Sequence, residues 1–114
     1  MKKVVIAGSR DFHDYDLVME KFLGLCLGQV EIVSGGAKGV DALGERLARE
    51  LGYPLKVFPA DWTKHGKAAG PIRNRQMAEY ADVLVAFWDG QSPGTRNMIR
   101  VAVEKRLEIH LFFV

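Results

Sequence analysis

Short apolar runs that alternate with helical patterns constrain the fold of this chain more than any other feature. Each run is rich in β-branched or aromatic side chains and is bounded by Gly, Pro or Asp, which predicts a strand. The five predicted strands are Val4–Ala7, Val30–Val33, Leu55–Phe58, Val83–Phe87 and Ile109–Phe113. The four segments with helical spacing are Asp14–Leu27, Gly39–Leu51, Ile72–Tyr80 and Gly94–Arg106.

Strands that are apolar on both faces and separated by helices predict a parallel sheet covered on both sides. With right-handed crossovers, we expect an α/β fold, a three-layer Rossmann-like sandwich. Its five-stranded, mainly parallel sheet takes the order 3-2-1-4-5. The 114 residues form one domain, residues 1–114, which is long enough to bury a core without disulfides or metals. The polar stretch Pro59–Pro71 is predicted to be a long irregular loop.

Composition and charge exclude several classes of protein. The net charge of +2 is too small to indicate nucleic-acid binding by itself. The single cysteine, Cys26, lies in an apolar stretch and is predicted to be a buried structural thiol. The apolar residues after Met1-Lys2-Lys3 are too few for a signal peptide or a membrane span. We therefore expect a cytoplasmic protein that does not associate with membranes.

The loops that leave the strands differ from those that enter them. Entering loops are short and plain, whereas leaving loops are rich in glycine, hydroxyl groups and charge. The leaving loops are Gly8–Phe12, Ser34–Asp41, Pro59–Trp62 and Trp88–Thr95. Ligands of open α/β sheets bind outside the carboxyl ends of the strands, where the strand order reverses. We therefore expect these loops to share one ligand site.

The turn Ser34-Gly35-Gly36-Ala37-Lys38-Gly39-Val40-Asp41 predicts a phosphate seat. Its glycines can reach positive φ, and the following helix start adds unpaired N–H donors. The spacing matches neither a Walker A loop nor the dinucleotide fingerprint. The alternative is that the glycines only turn the chain into the helix. Asp41 either favours the helix dipole or meets a ribose hydroxyl.

The loops after the first and fourth strands predict further ligand contacts. Gly8 lets the backbone approach the ligand, Ser9 offers a hydroxyl, and Arg10 clamps a phosphate or is simply a solvated arginine. Ser92-Pro93-Gly94-Thr95 is interpreted as a second anion seat, or as an ordinary helix N-cap.

Basic residues accompany an aromatic and an imidazole group in the stretch from Trp62 to Arg75. Such a run is either a solvated face or a place where a base stacks. Arg73 and Arg75 lie two positions apart on a helix and point about 200° apart, so only one of them is expected to face the site. Candidate ligand-binding residues are Gly8, Ser9, Arg10, Ser34, Gly35, Gly36, Ala37, Lys38, Gly39, Asp41, Asp61, Trp62, Arg73, Asn74, Asp89, Ser92, Gly94 and Thr95.

Four segments together resemble the YspA-like, YpsA-related branch of the SLOG superfamily, over nearly the whole chain. They are Gly8–Phe12, Ser34–Asp41, Gly70–Met77, and Trp88-Asp89-Gly90 with Ser92, Gly94 and Thr95. The resemblance implies a bacterial or phage Rossmann-like domain that binds a nucleotide derivative, such as ADP-ribose or a mononucleotide. Its role would be that of a sensor, carrier or sequestering module. It also implies a homodimer or higher homo-oligomer.

Two alternatives follow from other members of the superfamily. The DNA-processing protein DprA suggests single-stranded nucleic-acid binding, which the small net charge disfavours. The phosphoribohydrolases suggest hydrolysis of an N-glycosidic or phosphate bond, but alignment on Gly94-Thr95 places Met98 at their glutamate, and methionine cannot act as an acid. The catalytic candidates are then Asp11, Asp89, Arg73 and Arg75. We expect no metal site and no required cofactor, although Mg²⁺ is compatible with a phosphate ligand.

Overall fold

A computed structural model describes all residues, Met1–Val114, as five strands and five α-helices. The strands are β1 (Lys2–Gly8), β2 (Val30–Ser34), β3 (Leu55–Val57), β4 (Val83–Trp88) and β5 (Glu108–Phe113). The helices are α1 (Tyr15–Gly24), α2 (Val40–Leu51), α3 (Trp62–His65), α4 (Ala69–Tyr80) and α5 (Pro93–Glu104), with a 3-10 turn (Gly66–Ala68) between α3 and α4. None of these helices combines the length and the apolar character needed to cross a membrane.

The sheet confirms the predicted topology. Its strand order is β3-β2-β1-β4-β5, and every neighbouring pair is parallel. The central strand β1 pairs with β2 on one side and β4 on the other, so that Val5 lies beside both Val33 and Leu84. The strand order therefore reverses between β1 and β4.

Two apolar cores form because successive side chains of a strand point to opposite faces of the sheet. Val4 and Ile6 of β1 pack against α1 and α2, whereas Val5 and Ala7 pack against α4 and α5. Burial of each such valine or isoleucine contributes about 1.5–3 kcal/mol. The helices thus cover both faces, which confirms the three-layer Rossmann-like arrangement.

The stretch Pro59–Pro71 is not an irregular loop, so that prediction was wrong. Asp61 accepts a hydrogen bond from Lys64 N (3.0 Å) and caps α3, and α4 begins at Ala69, three residues before the predicted start. Pro71 is compatible with this start because it lies in the first turn, where its missing N–H would have had no intrahelical partner. The exposed, polar faces of these short helices hid their periodicity.

Cys26 is exposed, which contradicts the predicted buried thiol. Helix α1 ends at Gly24 rather than at Leu27, and Cys26 follows with a positive φ of 53°. The chain has therefore left the helix before Cys26, so that the apolar face of α1 does not include it.

Candidate ligand-binding site

A cavity of about 570 Å³ lies at the carboxyl edge of the sheet, where β1 ends between the first turns of α2, α4 and α5. Residues from all four predicted loops line it. The predicted site residues in its wall are Gly8, Arg10, Asp11, Ala37, Asp41, Trp62, Arg73, Asn74, Ser92, Gly94 and Thr95. This is the position expected for a ligand of an open α/β sheet.

The other predicted site residues do not line the cavity. They are Ser9, Ser34, Gly35, Gly36, Lys38, Gly39, Asp61, Arg75 and Asp89. Several of these residues make hydrogen bonds that hold the lining residues or their loops in position.

Side chains of the glycine-rich turn and of α2 bond two of the N–H groups in that turn. Gly36 N donates to Ser34 Oγ (3.1 Å), and Ala37 N donates to Asp41 Oδ2 (3.2 Å). Ser34 Oγ in turn donates to Glu45 Oε2 at 2.7 Å. Two of the N–H groups that were expected to bind an anion are therefore engaged inside the protein.

The glycines of this turn allow close packing. Gly39 has a φ of 74°, and an added Cβ would lie 2.4 Å from the carbonyl oxygens of both Ser9 and Arg10. At Gly35 an added Cβ would lie 2.6 Å from Arg73 Nη1. Glycine at these two positions therefore lets α2 approach the loop after β1 and lets Arg73 approach the turn.

Asp41 is a buried carboxylate in the cavity wall, with only 6% of its surface exposed. Burial raises the pKa of Asp41 from 3.8 to about 6. The hydrogen bond from Ala37 N and the nearby Arg73 and Arg10 act against this rise in pKa, whereas Glu45 adds to it. The site thus holds a carboxylate that is ionised at neutral pH in spite of the cost of burial.

Arg73 is the arginine of α4 that faces the cavity. Its guanidinium donates to the Gly35 carbonyl, and its Nε donates to Asn74 Oδ1 at 3.0 Å. Burial lowers the pKa of Arg73, but an arginine remains charged in proteins. Arg75 points away and pairs with Glu104 at 3.5 Å. Helical geometry thus separates the two arginines as the spacing predicted.

Asn74 joins the two helices that form one side of the cavity. Its Nδ2 donates to the Gly94 carbonyl (3.2 Å) and to Asn97 Oδ1 (2.9 Å), while its Oδ1 accepts from Arg73. The whole residue is buried. Asn74 therefore fixes the position of Arg73 relative to the first turn of α5.

The first turn of α5 carries unpaired backbone donors. Pro93 is its first residue, and the N-cap residue Ser92 makes no side-chain capping bond. No protein group accepts a hydrogen bond from Gly94 N or Thr95 N. Both residues line the cavity, so the start of α5, where its dipole is positive, lies in the cavity wall.

Asp89 shapes the loop before α5. Its carboxylate accepts hydrogen bonds from Ser92 N and Gln91 N (both 2.8 Å) and from Ser92 Oγ (3.1 Å), and these bonds lower the pKa of Asp89. Ser9 Oγ accepts from Asp89 N at 3.1 Å. These two residues hold the loop against β1 and do not line the cavity.

Several lining residues were not among the candidate ligand-binding residues. They are Ala7, Lys67, Gly70, Pro71, Met77, Pro93, Asn97 and Met98. Helical spacing could have found some of them, because Gly70 and Met77 lie four before and three after Asn74, and Met98 lies four after Gly94. Met77 and Met98 are almost fully buried and give the cavity an apolar floor.

Comparison with known proteins places the chain in a family. The family model of the YspA, cpYpsA-related SLOG family matches residues 2–65, more than half of the chain. The gene 61 protein of Mycobacterium phage D29 is 38% identical over an alignment 112 residues long, and the matched region covers 90% of this chain and 89% of that protein. No solved structure matches the chain. With its sheet topology and its loops at the carboxyl edge, the chain belongs to the YspA, cpYpsA-related SLOG family.

Proposed function

We propose that this protein binds a nucleotide or nucleotide derivative in the cavity, as a sensor, carrier or sequestering module. Membership of the SLOG family suggests binding of nucleotide derivatives in general. The observation that carries the proposal is one cavity in which free N–H groups of α5, two arginines and an apolar floor lie together. These are the groups that a phosphate and a nucleoside need.

In this proposal the phosphate binds at the first turn of α5. Gly94 N and Thr95 N have no other acceptor, and a helix N-terminus favours a negative charge. Arg10, Lys67 and Arg73 line the same cavity and outnumber the lining carboxylates Asp11 and Asp41. The walls therefore carry a net positive charge, which supports an anionic ligand.

In the same proposal the nucleoside binds between Trp62 and the apolar floor formed by Met77 and Met98. The Trp62 side chain lines the cavity although about half of its surface (52%) is exposed, so its ring is accessible. An aromatic face of this kind stacks on any base, and stacking contributes about 1–3 kcal/mol per base. A volume of about 570 Å³ lies within the range of small-molecule pockets, about 300–1,000 Å³.

Isothermal titration against AMP, ADP-ribose, NAD and cyclic AMP tests the proposal. We expect measurable binding of at least one compound, and a loss of at least tenfold in affinity for Arg73→Gln. The matched control is Arg75→Gln on the same helix, whose exposed ion pair with Glu104 contributes little. Folded wild-type protein that binds none of the four compounds would refute the proposal.

A second candidate function is hydrolysis of a nucleotide, and one observation favours it. Asp11 and Arg73, two of the four catalytic candidates, both line the cavity, whereas Asp89 and Arg75 do not. Against it, Met98 occupies the buried floor where the hydrolase motif would place its glutamate. Chromatography of the same nucleotide panel after incubation decides between the two functions. Turnover that Asp11→Asn abolishes would establish hydrolysis, and intact nucleotides would exclude it.

A further inference from the structure

Asp41 is the buried charge in the cavity that phosphate binding does not use. An ionised carboxylate repels a phosphate. A carboxylate in the wall of an anion site is therefore expected to bind a hydrogen-bond donor of the ligand instead. We propose that Asp41 accepts hydrogen bonds from the sugar hydroxyls of the bound nucleotide, so that the cavity selects a ribonucleotide with free 2′- and 3′-hydroxyls. This inference rests on the function proposed above.

The hydrogen bonds of Asp41 leave it free to accept more. Its Oδ2 accepts from Ala37 N, whereas its other oxygen has no partner in the protein. Arg73 donates to the Gly35 carbonyl and to Asn74, and makes no ion pair with Asp41 within 4.0 Å. An ionised carboxylate can only accept hydrogen bonds. Its natural ligand groups in the cavity are therefore hydroxyl donors, which a ribose diol supplies in a neighbouring pair.

The topology of the sheet brings Asp41 and the phosphate seat into one cavity. Asp41 follows β2 and the seat at Gly94 follows β4, with only β1 between these strands. Helices α2 and α5 pack on opposite faces of the sheet, and both residues line the cavity between them. A volume of about 570 Å³ has room for a ribose phosphate. When the phosphate binds at α5, the sugar hydroxyls would therefore face Asp41.

A purely structural role does not require a carboxylate at position 41. The amide oxygen of an asparagine would accept from Ala37 N equally well and would bury no charge. The charged groups that face Asp41 are Arg73 on α4, Arg10 after β1, and Glu45 one turn farther along α2. The two arginines favour the ionised form, and Glu45 opposes it. The negative charge of Asp41 is therefore retained although its burial destabilises the folded protein, which is typical of functional groups.

Titration calorimetry with AMP and 2′-deoxy-AMP tests the inference. The wild-type protein is expected to bind AMP at least tenfold more tightly than 2′-deoxy-AMP at pH 7.5. Asp41→Asn is expected to bring this ratio below threefold, and the wild-type ratio is expected to fall in the same way at pH 5. The control is Asp16→Asn, because Asp16 is likewise the second residue of a helix, α1, but is exposed outside the cavity.

The two proposals fail in different ways. Equal binding of AMP and 2′-deoxy-AMP by the wild type, or an unchanged ratio in Asp41→Asn, would overturn the role of Asp41 and leave nucleotide binding intact. Absence of binding to both nucleotides and to the rest of the panel would overturn both proposals.

Discussion

The starts of α2 and α5 look alike in sequence but differ in the charge that lies beside their backbone donors. Both follow a parallel strand at the same edge of the sheet, and both contain glycine. Before α2, Ser34 and Asp41 accept the hydrogen bonds of Gly36 N and Ala37 N, and the buried Asp41 carboxylate lies in the first turn of the helix. At α5, the first turn contains no acidic residue and Gly94 N and Thr95 N remain free. A glycine-rich turn is therefore a favourable anion site only where no carboxylate already occupies the start of the helix.

The largest effect is expected for Gly39→Ala, which tests whether the start of α2 is fixed by close packing. The new Cβ would lie 2.4 Å from two carbonyl oxygens at a φ of 74°, and we expect a loss of about 4 kcal/mol in the free energy of unfolding. Urea denaturation measures it. Gly28→Ala is the control, because Gly28 has a similar φ (75°) but open space around it, and only about 1 kcal/mol is expected there. Equal losses for both variants would mean that φ alone, not packing, requires Gly39.

Gly94→Asp would give α5 the acidic first turn that α2 has. Space around Gly94 is open, so the fold should tolerate the change, but the carboxylate would occupy the free N–H groups. We expect AMP to bind about 100-fold more weakly, equivalent to about 2.8 kcal/mol. Gly94→Ala retains the N–H groups without adding charge, and it should bind AMP within threefold of the wild type. Unaltered binding by Gly94→Asp would place the phosphate elsewhere.

Asp41→Asn should stabilise the protein at pH 7.5. The pKa of Asp41 in the folded protein, about 6, exceeds 3.8, so the folded state binds more protons and its stability falls as the pH rises through this window. Removal of the charge should therefore add about 3 kcal/mol at pH 7.5 and almost nothing below about pH 3, where the carboxyl is largely neutral in both states. Urea denaturation at the two pH values provides the measurement. Destabilisation at pH 7.5 would show that the ionised carboxylate supports the turn.

Trp62→Ala should have the smallest effect, because in the proposed complex Trp62 contacts the ligand only through stacking. We expect AMP affinity to fall about fivefold to tenfold, with an unfolding free energy nearly unchanged since the ring is half exposed. Trp62→Phe retains an aromatic face and should recover most of the affinity in the same titration. A variant that binds AMP as the wild type does would exclude stacking at this position.

The fold was predictable because five short apolar runs and the helices between them leave few parallel arrangements. The edge of the sheet that carries the cavity followed from the same topology. What sequence could not provide was the partner of each polar group. Whether Ser34 Oγ points to the cavity or to Gly36 N depends on side-chain packing, and the open donors of α5 are defined only by the absence of such a partner.

The start of α4 illustrates a second limit. The polar residues before Ile72 concealed two further helical turns, so that Lys67 and Gly70 were not recognised as neighbours of Arg73. Helix ends depend on capping and local packing, which the periodicity of a short exposed segment does not record.

The buried amide of Asn74 has a consequence for the strength of association. By bonding Arg73, the Gly94 carbonyl and Asn97 at once, it couples two walls of the pocket into a single rigid frame. The conformational entropy of these groups is lost when the chain folds, not when a small molecule arrives. For the ligand proposed above, this frame would be set before binding, so that little further ordering of Arg73 and Asn74 would reduce the affinity.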